Sequence, residues 1–300
     1  MWMDLAYLLS KVQEMDESEE DKVNRTNIEY LTHSWNPIAM RCTPVSSGCK
    51  NCWHLRLADM LSRNPLIDGS VWAAYAGGIP ILLNDKELYV PIHLRKPARI
   101  GVQFMGDLFC EDVPFDFVKP VFQSAANSKC HTYLFLTKRQ DRMLEFVRWF
   151  KDHAYRGEEG YIPLSRLPDN WWLGVSVEDQ KTADERIPIL LQIPATHRWV
   201  SYEPALGPVD FSEWFGLYEY DEGKYALKVG SRWKSSPDWI VCGPETGPGA
   251  RPMDIEWARN VVNQCQAAGV PVFVKALTIN GKVSKDMSEW PADLRKREIP

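Results

Sequence analysis

The sequence predicts an α/β fold, a full or partial (β/α) barrel that carries an N-terminal extension and a small insertion. Three observations predict this fold. Short apolar segments alternate with stretches of helical periodicity. These apolar segments are rich in β-branched and aromatic residues, as strands buried on both faces of a parallel sheet are. Polar residues follow each segment, and the carboxyl ends of barrel strands meet on one face. A doubly wound open sheet is the competing layout.

The elements before the regular region are few. Residues 1–26 are predicted to be an acidic extension, and residues 27–300 a single domain with an insertion at 64–97. Within that domain, the pattern predicts a short strand at 27–32, a helix at 53–63, a turn at Gly77-Gly78 and a strand at 87–94 that Pro91 interrupts.

From residue 99 onward the alternation is regular. Asp254 is a good helix N-cap and Gly269 a good helix stop, so the last helix is the best bounded. The predicted strands are 99–105, 132–136, 172–177, 198–202, 239–241 and 272–274. The predicted helices are 113–128, 141–153, 181–192 and 254–269.

Composition and charge narrow the function classes. The chain has 300 residues, 45% of them hydrophobic, which excludes a disordered protein. It has no run of ~18 apolar residues, which excludes a polytopic membrane protein. A net charge of -5 argues against a broad basic surface for nucleic acid, although a local basic groove stays open. The N-terminus lacks a basic leader and a small-residue cleavage site, so we expect a cytoplasmic protein whose cysteines are thiols or metal ligands.

Three of the seven cysteines, Cys42, Cys49 and Cys52, form a C-x6-C-x2-C motif. The close pair lets two thiolates bind one metal or cluster, and the longer gap lets the chain bring in the third. Three thiolates suit a [4Fe–4S] cluster that keeps one iron open. The alternatives are a Cys3His zinc site completed by His54, or three unrelated thiols. We interpret the remaining cysteines as core or near-core thiols: Cys110, Cys130, Cys242 and Cys265.

Ionisable residues follow six of the predicted strands. We expect them to ring one mouth of the barrel, although loops are often polar simply because they cap helices. They are Asp107, Lys138, Glu178, Glu203, Glu245 and Lys275. The Gly- and Pro-rich loop at 241–253 lacks both GxxxxGK[ST] and GxGxxG spacing, so the sequence predicts neither a P-loop hydrolase nor a Rossmann dehydrogenase.

A three-cysteine cluster after the first strand of a β/α barrel resembles the radical S-adenosylmethionine (SAM) superfamily. Its first gap is three residues longer than the usual C-x3-C-x2-C, and Asn51 stands where an aromatic residue is usual. SWNPIAMRCTPVSSGCKNCW, FMGDLFCEDVP, LTKR, SYEPALGPVD and QCQAAGVPVFVK resemble, in this order, a phage and prophage family of unknown function with the same motif. The match runs from about Asn27 to the end. Trp53 and Pro244 depart from that family's usual Tyr and Gly.

The resemblance implies a radical SAM barrel with Cys42, Cys49 and Cys52 as ligands of a [4Fe–4S] cluster. It implies that SAM is held by residues at three strand ends, namely Asp107, Lys138, Ser176 and Glu178. The chemistry is reductive cleavage of SAM to a 5′-deoxyadenosyl radical that abstracts hydrogen from a C–H bond, with a flavodoxin- or ferredoxin-type electron donor. The groups left to face the substrate are Glu203, Glu245 and Lys275, the last as base or anchor. Cys242 is either a hydrogen donor or a buried core thiol.

The phage context, which comes from the resemblance, favours modification of a nucleobase or nucleotide. Trp171-Trp172 and Lys138-Arg139 could stack on and neutralise such a ligand, or they are a surface flanking helices. The acidic pI favours a free nucleotide or a flipped base over wide duplex contact, and nothing predicts membrane binding. Two other functions stay open: a zinc- or cluster-stabilised barrel that binds a partner without catalysis, and a redox-neutral hydrolase that uses the strand-end carboxylates.

Overall fold

The computed structural model describes residues 25–153, 167–221, 224–227 and 236–300. Most of the predicted acidic extension, residues 1–24, lies outside the described residues. The strands are β1 His33–Trp35, β2 Ile38–Ala39, β3 Ile81–Leu82, β4 Arg99–Val102, β5 Thr132–Thr137, β6 Trp171–Ser176, β7 His197–Tyr202, β8 Leu217–Asp221, β9 Lys224–Leu227, β10 Trp239–Cys242, β11 Val272–Val274, β12 Leu277–Ile279 and β13 Lys282–Ser284. The helices are α1 Trp53–Leu61, α2 Gly69–Tyr75, α3 Asp85–Leu88, α4 Val90–His93, α5 Phe115–Asn127, α6 Gln140–His153, α7 Gln180–Leu190, α8 Ser212–Phe215 and α9 Ile255–Ala268.

Within the described residues, seven strands form one parallel sheet in the order β1-β4-β5-β6-β7-β10-β11. The order never reverses along the chain, whereas a doubly wound sheet has a point where it does. β1 and β11 end the series without pairing to each other. The sheet is therefore a parallel half-barrel, which confirms the predicted partial β/α layout and excludes the doubly wound one.

Side chains along the strands alternate between two apolar clusters, as a period of two requires. The outer cluster packs the sheet against helices α5, α6, α7 and α9. The inner cluster is aromatic and fills the amino-terminal part of the concave face; it contains Tyr30, Leu31, Leu134, Trp172, Trp199, Trp239, Val241 and Phe273. Gly174 makes room for it, because a Cβ there would lie 2.5 Å from the Trp199 indole. The inner cluster thus fills the concave face near the amino-terminal ends of the strands and leaves it open at their carboxyl ends.

The four predicted long helices are confirmed to within two residues at each end. Their caps explain the boundaries. Asp179 accepts from the backbone of Thr182 at 2.9 Å and begins α7, and Asp254 accepts from the backbone of Glu256 at 2.9 Å and begins α9. Gly269 ends α9 with a φ of 69° in the left-handed region.

Two predicted elements are wrong. Residues 27–32 form a turn rather than a strand, since Leu31 N donates to Ile28 O, and the strand follows at His33–Trp35. The apolar residues of segment 27–32 pack in the inner cluster. The prediction interpreted their apolar character as that of a strand. Residues 87–94 are helical: Asn84 caps α3, and Pro91 lies in the first turn of α4, where a missing N–H leaves no bond unmade. The predicted turn at Gly77-Gly78 and the helix that begins at Trp53 are confirmed.

Across the ranges that the structure describes, each helix is too short or too polar to span a membrane.

Candidate functional site

A cavity of about 220 Å³ lies at the carboxyl ends of the sheet strands. Its floor is apolar, formed by Ile28, Tyr30, Phe104 and Leu136. Its polar walls include all but one of the predicted site residues, namely Cys42, Cys49, Cys52, Asp107, Lys138, Ser176, Glu203, Glu245 and Lys275. The exception is Glu178, which is fully buried beside the cavity. The sequence therefore predicted correctly that these residues converge, while the roles given to them stay predictions.

The cysteine loop, residues 42–52, forms one wall of this cavity. Its three cysteines are all partly exposed and all face the same space. Residues from three strand ends bind the loop, so the loop is attached to the half-barrel at three separate points.

Arg139, after β5, is the first attachment point. Its guanidinium donates to Thr43 O at 2.8 Å and to the Cys42 sulfur at 3.4 Å. It also forms an ion pair of 3.0 Å with Asp107. Asp107 accepts two backbone N–H bonds and the Thr137 hydroxyl as well, so all of its acceptor positions are used within the protein. Asp107 therefore orients Arg139 through this ion pair. No lone pair of its carboxylate is left for the predicted SAM amine.

Glu178, after β6, is the second attachment point. Its carboxylate pairs with Arg186 at 3.2 Å and with Lys138. It also accepts from the Ser46 hydroxyl of the cysteine loop at 2.7 Å. Gly48 packs against this cluster so closely that a Cβ there would lie 2.6 Å from Glu178 and 2.8 Å from the Lys138 ammonium. The predicted contact of Glu178 with a ribose stays untested, and what the structure does show is a contact with the loop.

Glu245, after β10, is the third attachment point. It pairs with Arg251 at 2.6 Å and accepts from the Asn51 amide at 2.8 Å. Arg251 also donates to Ser47 O, and Asn51 to Gly249 O, so the Gly- and Pro-rich loop and the cysteine loop are bound together. Burial alone would raise the pKa of Glu245, but the hydrogen bonds from Arg251 and Asn51 lower it to about 2. The carboxylate therefore stays ionised.

Lys275 and Glu203 also line the cavity and form a further ion pair of 3.0 Å. Ser201 donates to Glu203 at 3.4 Å, and Ser176 donates to the Glu203 carbonyl at 2.7 Å. Neither Lys275 nor Glu203 contacts the cysteine loop in these bonds. This pair is the part of the predicted site that lines the cavity without a bond to the cysteine loop among the contacts described above.

Three residues near the cysteines were not predicted to belong to the site: Asn51, Arg251 and Cys110. The first two are polar residues within motifs that were singled out, which is the signal that could have found them. Cys110 was assigned to the core, and it is buried there, but its sulfur also lies 3.7 Å from the hydroxyl of Thr43, the neighbour of Cys42. Interaction with the Cys42 side chain lowers the pKa of Cys110 to about 6 against the effect of burial, and the same interaction raises the pKa of Cys42.

Several expectations for single residues are wrong. Trp171 and Trp172 neither stack on a ligand nor flank a helix at the surface, because both lie buried in β6. The Arg139 guanidinium is already bound to Asp107 and Glu111, so it does not offer a free charge to a nucleotide. Cys130 is exposed, whereas Cys242 and Cys265 are buried as expected.

The donor set fits an iron–sulfur cluster by its chemistry. Three partly exposed thiols face one cavity, and an arginine donates to one sulfur, a kind of hydrogen bond that tunes the potential of a bound cluster. His54 fits the alternative zinc site less well at Nε2, because that atom already accepts the Cys42 backbone N–H at 3.5 Å. In the described part of the chain, no group of three His, Cys, Asp or Glu side chains is arranged to hold a single metal ion.

Residues 25–293 match the family model described as protein of unknown function (DUF5131). No curated protein and no solved structure matches the chain. Since the match covers most of the sequence, the chain belongs to the DUF5131 family.

Proposed function

We propose that this protein is a radical SAM enzyme. The observation that supports the proposal best is the meeting of Cys42, Cys49 and Cys52 with strand-end polar residues in one cavity of a parallel half-barrel. Ligands bind at the carboxyl ends of parallel strands, where such loops converge. A [4Fe–4S] cluster held by three thiolates keeps one iron free to bind a further ligand. A zinc ion bound by four protein ligands has no free coordination position.

The three thiolates would hold a [4Fe–4S] cluster, and with SAM bound it would supply a 5′-deoxyadenosyl radical that takes hydrogen from an unactivated C–H bond. Arg139 donates to the Cys42 sulfur and so stabilises negative charge there. Lys138, which lines the cavity and pairs with Glu178, remains our candidate for the SAM carboxylate. Ser176 and Glu178 remain candidates for the ribose, whereas Asp107, whose acceptor positions are all used, is no longer our candidate for the amine.

The part of the cavity that Lys275 and Glu203 line fits a substrate. Tyr30, Phe104 and Leu136 form an apolar floor that excludes water from a reactive intermediate. Lys275 and Glu203 stand above it as one positive and one negative group, able to orient a polar ring or exchange a proton with it. A planar nucleobase matches an apolar floor with a few polar groups, and this is the substrate class we propose.

The experiment is to measure iron, sulfide and zinc in the protein purified anaerobically, and to record the reduced EPR spectrum with and without SAM. We expect about four irons per chain and a spectrum that changes when SAM is added. The Cys42→Ser variant should lose that iron. The Cys130→Ser variant is the matched control, because Cys130 is exposed and lies away from the cavity.

Stoichiometric zinc without iron after anaerobic reconstitution would contradict the proposal. The cysteine loop would then be a structural clip, and the protein a zinc-stabilised barrel. Iron bound with no response to SAM would contradict the SAM part alone.

A further inference from the structure

The apolar floor of the cavity carries one hydroxyl group, that of Tyr30. This residue lies in the turn at residues 27–32, is 2% exposed and lines the cavity. Its ring meets those of Trp199, Trp239 and Phe273 edge to face, with ring centroids 6.0, 5.4 and 5.7 Å away. The ring of Tyr30 is therefore held in place by three aromatic side chains of the inner cluster.

Tyr30 lies next to the ion pair of Lys275 and Glu203. Phe273, which contacts the Tyr30 ring, precedes Lys275 by two positions, and side chains two positions apart share a face of the sheet. Burial raises the pKa of the Tyr30 hydroxyl most, and the negative charge of Glu203 raises it further. The phenol therefore stays protonated and is able to donate a hydrogen bond.

The Tyr30 hydroxyl is unpaired within the part of the chain that the structure describes. Arg99 binds the backbone carbonyl of Tyr30 at 2.9 Å, whereas no described residue forms a hydrogen bond with its hydroxyl. The hydroxyls of Tyr133 and Tyr202 both donate to backbone carbonyl oxygens. A buried phenol normally has such a partner, because an unpaired buried polar group costs free energy. At the edge of a cavity, the expected partner is an atom of the ligand.

We propose that Tyr30 is a specificity-determining residue of the cavity, whose hydroxyl donates a hydrogen bond to a ring carbonyl of the ligand. An ionised Glu203 only accepts hydrogen bonds, and Lys275 only donates them. A ring that bonds to all three therefore presents carbonyl oxygen and N–H groups on one edge. Guanine, cytosine and uracil have such an edge, whereas adenine has no ring carbonyl. The choice of nucleobases rests on the proposed function, and the assignment of Tyr30 to a ligand does not.

A ligand-binding hydroxyl and a structural hydroxyl respond differently to removal. The Tyr30 hydroxyl bonds to no described residue, so Tyr30→Phe should unfold at the same or a higher temperature than the unmodified chain. The same variant should bind the ligand less well, because the ligand carbonyl is then buried without a donor. Loss of one such hydrogen bond weakens binding by roughly 3- to 10-fold.

The test is isothermal titration calorimetry of the full chain with guanosine, cytidine and uridine, in the absence of SAM. Adenosine is left out because SAM itself contains it. Tyr75→Phe is the matched control, since Tyr75 is also buried but lies outside the cavity. We expect at least one nucleoside to bind and Tyr30→Phe to raise its dissociation constant by roughly 3- to 10-fold. Tyr75→Phe should leave that constant unchanged.

Three results would overturn the inference. They are the absence of binding by all three nucleosides at millimolar concentration, equal affinity in Tyr30→Phe and the unmodified chain, and a melting temperature of Tyr30→Phe that is several degrees lower. The last result would show that the hydroxyl stabilises the fold.

Iron content and the response to SAM keep this inference distinct from the proposed function. Nucleoside binding that depends on Tyr30, in a protein that binds no iron, would refute the radical chemistry and support the assignment of Tyr30. A cluster that responds to SAM, together with nucleoside binding that does not depend on Tyr30, would refute this inference and support the proposed function.

Discussion

Gly48→Ala tests how the cysteine loop is attached to the half-barrel. Gly48 lies in a short 3-10 helix of that loop, and its backbone is compatible with any residue. The added methyl group would lie 2.6 Å from Glu178 and 2.8 Å from the Lys138 ammonium. The substitution therefore changes only the space between the loop and a buried ion pair.

The cost can be worked out from these distances. Ordinary van der Waals contact begins at 3.4 Å, so the methyl group is too close by roughly 0.8 Å. Glu178 cannot move aside freely, because it is fully buried and paired with Arg186 at 3.2 Å. Overpacking of this kind costs about 1–3 kcal/mol. At about 2–4 °C per kcal/mol for domains of this size, we expect the melting temperature to fall by roughly 2–12 °C.

The assay is thermal unfolding followed by circular dichroism, together with iron content after anaerobic reconstitution. Gly69→Ala is the matched control, since a Cβ at Gly69 would contact nothing within 4 Å. We expect Gly48→Ala to unfold at a lower temperature and to bind less iron, and Gly69→Ala to match the unmodified chain in both. Equal melting temperatures and equal iron content in the two variants would refute the reasoning that the loop rests on Glu178.

Three further predictions follow from the other contacts. Glu245 has a pKa of about 2 in the folded protein, below its ordinary 4.5, so the stability it contributes is complete above pH 4.5 and is lost as the pH falls towards 2. Urea unfolding should show that Glu245→Gln lacks this acid-dependent loss, on the order of 3 kcal/mol. Arg139→Gln leaves the Asp107 carboxylate buried without its cation and should lower the free energy of unfolding by about 3 kcal/mol, and a variant as stable as the unmodified chain would contradict the ion-pair argument. Lys275→Met should keep the iron content and the SAM-induced EPR change, because Lys275 pairs with Glu203 and not with the cysteine loop. A loss of iron in this variant would show that the Lys275–Glu203 pair and the cysteine loop are coupled.

Much of the fold could be predicted because its signals are local. A strand buried on both faces is a short apolar run, and β11 was predicted with its observed bounds of Val272–Val274. Helix ends were predictable wherever an Asp or Gly cap marks them, as at Asp254 and Gly269. The errors occur where an apolar segment is buried without being a strand. Tyr30 is buried because it packs in the concave face of the sheet, and no pattern within residues 27–32 indicates this burial.

The location of the candidate site could be predicted from the sequence, but the hydrogen bonds and ion pairs between its residues could not. Parallel strands bring their carboxyl ends together whatever the sequence, so the convergence of Lys138, Glu203 and Lys275 follows from topology. Which cation faces which carboxylate depends on contacts between residues far apart in the chain. Arg186 reaches Glu178 from the following helix, and Asn51 reaches Glu245 across 194 positions of sequence.

The alternation of side chains along each strand explains why the strand-end residues divide into two groups. Phe273 belongs to the inner cluster. Lys275 lies two positions later on the same face, nearer the cavity that it lines. Trp199 and Ser201 are related in the same way. These inner positions face the cavity floor, where a substrate would lie. Residues in the loops beyond the strands are free of this alternation, and there Arg139, Glu178 and Glu245 bind the cysteine loop. Substitutions in the loop-binding group should therefore alter metal content and stability, while substitutions at Ser201 or Lys275 should alter what the metal-loaded protein binds.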